Sequence, residues 1–144
     1  MKKVAIIPAL LNSKRVHNKN LILVDGFPLI YYVVNSCKKS GAFDEIYISS
    51  DDYIFKKMAS DLGVNFYKRS PENGGSKCTM SNSSKKCKGE RCTIHDHFLM
   101  DFISNVECDY LIQVHTTSPL IKPETISSFA KKLENLDSQI SVEE

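Results

Sequence analysis

Apolar residues recur along the chain with two different spacings, and each spacing predicts a different element. Short apolar or β-branched runs predict strands at residues 4–7, 45–49, 64–67 and 110–114. Between and after these runs, apolar residues recur every three to four positions, which predicts four helices. Their apolar positions are Leu29, Ile30, Val33, Val34 and Cys37; Ile54, Phe55, Met58, Ala59 and Leu62; Ile94, Phe98, Phe102 and Val106; and Ile126, Phe129, Ala130, Leu133 and Leu136.

Turn and capping residues mark where the first two helices begin and end. Pro28 suits the first turn of one helix and Gly41 suits its end. Ser50 and Asp51 are expected to cap the next helix, which Gly63 terminates. Each predicted strand is thus followed by a loop and a helix.

Strands that alternate with helices predict right-handed crossovers and a mostly parallel sheet between helical layers. The expected fold is therefore a three-layer α/β/α, Rossmann-like fold. We expect residues 1–144 to form a single domain, truncated just after a fifth strand begins at residues 139–142. Ligands of such sheets bind at the carboxyl ends of the strands, where the strand order reverses. The loops that follow Ile7 and Val114 are thus the expected site.

Composition and charge exclude several classes of protein. The 144 residues are 42% hydrophobic and 25% charged, which is typical of one globular domain. A total of 19 Lys and Arg against 17 Asp and Glu gives a net charge of +2, which argues against a protein that binds nucleic acid or a membrane surface. Pro8 ends the first apolar run before an export signal or a membrane span forms, so we expect a cytoplasmic protein.

The segment after the first strand has the composition of an anion-binding loop. Its backbone N–H groups and its lysines suit a phosphate chain, and they would stabilise the charge that develops in phosphoryl or nucleotidyl transfer. Neither G-x-x-x-x-G-K-[ST] nor G-x-G-x-x-G occurs in it. The alternative is a solvated basic loop. The residues concerned are Asn12, Ser13, Lys14, Arg15, Asn18, Lys19 and Asn20.

Hydroxyl residues follow the strand predicted at residues 110–114. Thr116, Thr117 and Ser118 form an arrangement that suits either a ligand site at a strand end or an ordinary turn. His115, directly before them, is similarly open between a structural hydrogen bond and a role in a site.

Two groups of residues are candidate metal ligands. Residues 70–92 are polar and have no apolar period, which predicts a long loop or insertion rich in cysteine and lysine. Three thiolates and one imidazole there would form a closed zinc site, and the alternative is three thiols without a metal. Asp51 and Asp52 lie at a predicted strand end, although helix capping also explains Asp51. The candidate zinc ligands are Cys78, Cys87, Cys92 and His95.

Four blocks of the sequence together resemble one known family. The blocks are IIPALLNSKRVHNKNL followed by DGFPLI, then FDEIYISSDD, GVNFYKRSPE and DYLIQVHTTSPLIKPETI. They are similar, in the same order, to blocks of the acylneuraminate (CMP-sialic acid synthetase-like) cytidylyltransferases, and the resemblance spans nearly the whole chain. It corresponds to the N-terminal, nucleotide-binding portion of that family.

The resemblance implies a nucleotide-diphospho-sugar transferase fold and an enzyme that transfers CMP from CTP to a sialic-acid-type keto-sugar acid. Pyrophosphate would be released with the help of Mg²⁺, in a homodimer that serves cell-surface polysaccharide biosynthesis. On this resemblance Lys14 and Lys19 are the catalytic cations that neutralise the triphosphate, and Arg69 lies at the cytosine end of the site. The other implied nucleotide contacts are Asn12, Ser13, Arg15, Asn20, Thr93, Thr117 and Ser118.

Three positions depart from the family pattern. Leu10 stands where the family usually has an Arg, His115 replaces a Gln, and Ile121 replaces a second Arg. The two lost guanidinium groups would have offered bidentate contacts to anionic groups. Two further interpretations therefore stay open: a nucleotide-binding fragment or inactive homologue without turnover, and a zinc-stabilised interaction module.

Overall fold

The computed structural model describes residues 1–11, 16–70 and 94–136, with the side chains of the last segment described from residue 98 onward. Strands and helices alternate there as the apolar pattern predicts. The strands are β1 (Lys3–Pro8), β2 (Leu23–Val24), β3 (Phe27–Pro28), β4 (Glu45–Ser50), β5 (Asn65–Lys68) and β6 (Tyr110–Gln113). The helices are α1 (Leu29–Ser40), α2 (Ile54–Leu62), α3 (Ile94–Asn105) and α4 (Pro123–Lys132), with 3-10 turns at Lys19–Leu21 and Leu133–Asn135.

Four of the strands form one parallel sheet in the order β5, β4, β1, β6. Val4 of β1 lies beside Glu45 of β4, and Lys3 lies beside Tyr110 of β6. The chain moves outward from β1 through β4 to β5 and then returns to the other side of β1. The strand order therefore reverses between β1 and β6, which confirms the predicted Rossmann-like topology.

Helices cover both faces of this sheet. Alternate residues of the central strand β1 point to opposite faces, so this one strand contributes side chains to both cores. Ile7 of β1 packs in a core that α1, α2 and α4 cover. Val4 and Ile6 point to the other face, where Phe98 and Phe102 of α3 cover them. Since both faces of β1 are buried, an unbroken apolar run at its centre is the expected sequence.

The capping residue of α2 differs from the prediction. β4 extends through Ser50, whose side chain is buried, so Ser50 and Asp51 are not the N-cap and that prediction was wrong. Instead the backbone N–H of Ile54 donates to Asp52 Oδ1 over 2.9 Å, and Ser50 Oγ accepts from the N–H of Asp52 over 3.2 Å. The strand is one residue longer than its apolar run, and this displaces the start of the helix.

The end of α4 also departs from the predicted apolar stripe. Ile126, Ala130 and Leu133 are buried as expected, but Leu136 is 50% exposed. The last turn tightens to a 3-10 turn over Leu133–Asn135, and Leu136 follows it with extended backbone, so the helical spacing no longer applies. The strand predicted at residues 139–142 lies outside the described residues. Within the described part of the chain, no helix has the length and apolar character needed to span a membrane.

Candidate functional site

The reversal of strand order places two loops side by side at the carboxyl edge of the sheet. One loop follows Pro8 at the end of β1, and the other follows Gln113 at the end of β6. The N–H of Ala9 donates to Ser49 O over 2.9 Å, and the N–H of Val114 donates to Ile6 O over 3.0 Å. Backbone bonds thus tie the first residue of each loop to a neighbouring strand.

The loop after β1 returns to its own start through Asn20. This side chain is only 3% exposed, and its Nδ2 donates to Leu10 O over 3.0 Å. Its Oδ1 is buried and has no hydrogen-bond partner in the structure. A buried acceptor without a partner is costly, and here it lies beside the loop that the composition assigns to an anionic ligand. Asn20 therefore offers an acceptor to a ligand hydroxyl or amine.

Lys19 is half-buried in the same turn and directly precedes Asn20. The turn begins after Asn18, whose φ of 51° is in the left-handed region that Asn tolerates better than most residues. The remaining predicted ligand residues of this loop are Asn12, Ser13, Lys14 and Arg15, which lie outside the described residues. Of the two predicted catalytic lysines, the structure thus places Lys19 at the carboxyl edge.

Arg69, predicted at the cytosine end of the site, is buried at the carboxyl end of β5 and is 2% exposed. Its Nη2 donates to the carbonyl oxygens of Ser49 and Ala9 over 3.3 Å and 3.5 Å. Its Cζ lies 4.8 Å from the centroid of the Phe98 ring, a cation–π contact. The structure therefore brings Arg69 to the base of the loop that contains Lys19 and Asn20.

In the second loop, the buried hydroxyl residue is not one of those predicted to bind nucleotide. Thr116 is 4% exposed, whereas Thr117 and Ser118 are exposed on a turn in which the N–H of Ser118 donates to His115 O over 3.2 Å. Thr117 and Ser118 are therefore accessible to a ligand, and Thr116 is part of the supporting structure.

A cavity of about 140 Å³ lies between the end of β6 and α4. Its walls are largely apolar, with polar side chains from Gln113, His115, Ser118 and Thr125 among them. Gln113 contributes one of these groups, and its Nε2 is buried without a hydrogen-bond partner in the structure. All of its lining residues come from one stretch of the chain, residues 112–129, which runs from β6 through the second loop into α4. The lining residues are Ile112, Gln113, Val114, His115, Ser118, Ile121, Thr125, Ile126 and Phe129.

The described residues do not form a metal site by themselves. Among them, no three His, Cys, Asp or Glu side chains cluster closely enough to hold an ion. Asp52 Oδ1 accepts from the N–H of Ile54 at the start of α2, and the backbone carbonyl of Asp51 accepts from Lys68 Nζ. Mg²⁺ needs only one or two carboxylates when a ligand supplies phosphate oxygens, so these two aspartates would hold it only together with a bound triphosphate.

The zinc ligands and one base contact that the sequence predicts fall on residues that the structure does not describe. Cys78, Cys87 and Cys92, the side chain of His95, and Thr93 at the predicted base contact lie outside the described residues. Among the described cysteines, Cys37 is a free thiol whose burial raises its pKa to about 12, and burial also raises the pKa of Cys108. Both are therefore poor nucleophiles at neutral pH.

Comparison with known proteins identifies the family of this chain. The family model described as Cytidylyltransferase matches residues 4–143. The N-acylneuraminate cytidylyltransferase of Streptococcus agalactiae serotype V is 29% identical over 124 residues, which cover 85% of this chain and 27% of that protein. The pseudaminic acid cytidylyltransferase of Campylobacter jejuni serotype O:23/36 is 52% identical over 64 residues, which cover 44% of this chain and 28% of that protein. The chain thus spans only about a quarter of these relatives.

A solved structure shows the same fold. CMP:2-keto-3-deoxy-manno-octonic acid synthetase, complexed with CTP, superposes with a TM-score of 0.71 at 19% identity, covering 94% of this chain and 48% of the other. At that identity the likeness concerns the fold alone. The family model spans nearly every residue, including both loops at the carboxyl edge. The chain therefore belongs to the cytidylyltransferase family.

Proposed function

We propose that this chain binds CTP at the loop after β1 and contributes the nucleotide-binding portion of an enzyme that transfers CMP to a sialic-acid-type keto-sugar acid. The observation that supports this proposal is the position of Lys19 and Asn20. They belong to the basic loop of a cytidylyltransferase-family chain, and that loop begins where the strand order reverses. A ligand of a sheet with this topology binds at that point.

The proposed reaction is an in-line displacement. The anomeric hydroxyl oxygen of the sugar acid attacks the α-phosphorus of CTP, the bond from that phosphorus to the bridging oxygen breaks, and pyrophosphate leaves. The proton of the hydroxyl is released to solvent. Lys14 and Lys19 would neutralise the charge that accumulates on the phosphate oxygens, with Asn12, Ser13, Arg15 and Asn20 as further contacts to the nucleotide. Mg²⁺, when bound, would supply additional positive charge to the triphosphate.

The class of acceptor is proposed from the names of the relatives. They are described as acting on N-acylneuraminate and pseudaminic acid, and the structural neighbour on a 2-keto-3-deoxy octonic acid. We favour the sialic-acid type because the relative named for N-acylneuraminate is 29% identical to this chain, although a 3-deoxy-manno-octulosonate cytidylyltransferase of Bdellovibrio bacteriovorus is 28% identical over 91% of it. A panel of keto-sugar acids therefore has to include both types. A cytoplasmic homodimer that supplies CMP-sugars for cell-surface polysaccharide belongs to the same proposal, and exposed Thr117 and Ser118 are candidate contacts at the second loop.

A nucleotide-binding protein without turnover is the second candidate. Ile121 stands where the family usually has an Arg, and it packs against the hydrophobic core and lines the cavity beside His115. Leu10, the other position where the family usually has an Arg, places an apolar side chain at the start of the loop after β1. Binding of CTP without formation of pyrophosphate in the presence of any keto-sugar acid would support this candidate.

Calorimetry with CTP, followed by a pyrophosphate-release assay with a panel of keto-sugar acids, tests the proposal. Replacing Lys14 and Lys19 with Ala should weaken CTP binding on the order of tenfold or more, because charge-assisted bonds to phosphate are lost. Replacing Lys39 and Lys131 with Ala is the matched control, since these exposed lysines lie near the carboxyl ends of α1 and α4. Absence of CTP binding by the unmodified chain would refute the proposal and favour an interaction module.

A further inference from the structure

The two edges of the parallel sheet differ in how well they are protected. In the part of the chain that the structure describes, β5 forms one edge and β6 forms the other. β5 carries the exposed side chains of Asn65 and Lys68, whereas β6 contains neither a charged residue nor a proline. Charged residues, lysine above all, and proline are what usually prevents an edge strand from pairing with a further strand. The edge of β6 lacks that protection.

The backbone of β6 directs hydrogen-bonding groups away from β1. In a parallel strand, alternate residues turn their N–H and C=O groups to opposite neighbours. The N–H of Val114 donates to Ile6 O of β1 over 3.0 Å. The N–H groups of Leu111 and Gln113 consequently point to the other side of β6, which we call its open side. They are placed to pair with an added strand.

The cavity between β6 and α4 lies along the same edge. Residues 112–114 all line it, although successive side chains point to opposite faces of a sheet, so the cavity follows the edge and not one face. Ile121 and Phe129 give it an apolar wall, and Gln113 Nε2 is buried there without a hydrogen-bond partner in the structure. A buried donor without a partner is costly. An extended segment would supply carbonyl acceptors to the edge and side chains to the cavity.

The order of elements argues against a strand that directly follows α4 as this segment. α4 packs on the same face of the sheet as α1, while β4 and β6 lie on opposite sides of β1. The connection from β1 through α1 to β4 and a connection from β6 through α4 to the open side would therefore have opposite hands. Left-handed crossovers between parallel strands occur in only about 2% of cases. The added strand has to come from elsewhere.

We propose that the open side of β6 and the adjoining cavity receive a β-strand from the half of the cytidylyltransferase fold that these 144 residues do not span. The solved structure with CTP matches 94% of this chain with 48% of its own length, so about as much of that fold again lies outside the match. The strand would accept from the N–H groups of Leu111 and Gln113 and from Gln113 Nε2, and it would place apolar side chains in the cavity. This proposal rests on membership of the family and holds whether or not the chain binds CTP.

Co-expression with a separate polypeptide tests the proposal. The probe is the carboxyl-terminal half of the pseudaminic acid cytidylyltransferase of Campylobacter jejuni serotype O:23/36, with an affinity tag, because that enzyme is 52% identical to this chain over 64 residues. We expect the chain to copurify with the probe. Amide hydrogen exchange at Leu111 and Gln113 should then be at least roughly tenfold slower than in the chain alone. The amide of Ile112, which points to β1, should change little.

Three variants distinguish pairing at this edge from other contacts. Gln113→Pro removes an N–H on the open side without removing a bond to β1, so it should abolish copurification. Gln113→Val removes the side-chain donor but keeps that N–H, so copurification should be retained. Lys68→Pro makes the same backbone change at the other edge, since the N–H of Arg69 donates to Ser50 O and that of Lys68 points away from β4. It should have no effect.

Several results would overturn the proposal. These are failure of the unmodified chain to copurify, copurification that survives Gln113→Pro, and equal loss in Gln113→Pro and Lys68→Pro. Slow exchange at Leu111 and Gln113 that depends on the concentration of the chain alone, with a dimer in sedimentation, would assign the edge to a second copy instead. If Gln113→Pro does not fold, exchange at these two amides in the unmodified chain, with and without the probe, decides the question.

Discussion

Replacing Asn20 with Ala separates the contribution of this residue to folding from its contribution to the ligand. The side chain makes one bond, from Nδ2 to Leu10 O, and buries one acceptor, Oδ1, without a partner. Loss of the bond costs on the order of 1 kcal/mol, and loss of the unpartnered acceptor returns a similar amount. The free energy of unfolding should therefore fall by about 1 kcal/mol or less.

The affinity for CTP should change much more than the stability. Asn20→Ala removes the buried Oδ1 acceptor and releases the Leu10 carbonyl at the loop root, so CTP binding should weaken on the order of tenfold or more. Urea unfolding measures the first quantity, and calorimetry measures the second. Asn65→Ala, at the exposed amino end of β5, is the control and should change neither.

Two results would show that this reasoning is wrong. CTP affinity within twofold of the unmodified chain, with the variant folded, would mean that Oδ1 faces no ligand. A fall in the free energy of unfolding of about 3 kcal/mol or more would mean that Asn20 is mainly a structural residue and that the acceptor is satisfied in solution.

Three other predictions concern the sheet and the cysteine segment. Phe102 is fully buried and meets the rings of Tyr47 and Tyr67 edge-on at 5.2 Å and 4.9 Å, so Phe102→Ala should lower the free energy of urea unfolding by about 3–5 kcal/mol, and Phe102→Leu by much less. Burial and the bond to Asp101 raise the pKa of Tyr67 from 10.0 to about 12, so at high pH the folded chain keeps a proton that the unfolded chain releases. The free energy of unfolding should therefore fall as pH rises from 10 toward 12, and unfolding of Tyr67→Phe across that range should show a shallower fall. Protein purified without added metal should contain about one zinc per chain if Cys78, Cys87, Cys92 and His95 form a closed site; elemental analysis without zinc, together with three freely titrating thiols, would contradict this.

Local patterns in the sequence predict the elements of this fold well, because each element is decided by neighbours in the chain. The run at residues 4–7 requires burial on both faces, and β1 is covered on both. Gly41 ends α1 with a φ of 61°, a left-handed conformation that suits glycine. The errors occur at boundaries. The helix α2 begins only after Tyr53, because β4 continues through Ser50, and Ser50 pairs with Lys68 of β5, a contact that local preference does not predict.

The contacts within the site are less predictable, because they join residues that the sequence separates widely. The bond from Arg69 to Ala9 spans 60 residues, and the stacking partner Phe98 comes from a third segment. Composition identifies Arg69 as a cation and Asn20 as a polar loop residue. Neither their burial nor their use of the loop carbonyls follows from residue type, since both depend on which strand ends lie together.

These buried contacts also bear on how a basic loop can serve a triphosphate. Lys14, Arg15 and Lys19 carry like charges and repel one another. Without other support, the electrostatic energy of the loop would be lower with these side chains spread into solvent than with all three directed at one point. Bonds from Arg69 and Asn20 to the carbonyls of Ala9 and Leu10 fix the chain at the root without consuming any backbone N–H group of the loop. These two bonds engage no lysine of the loop, and the cost of ordering the root is met during folding and not during binding. It follows that removal of the root contacts should lower affinity for any polyphosphate, whereas removal of the lysines should also make the remaining affinity less sensitive to salt.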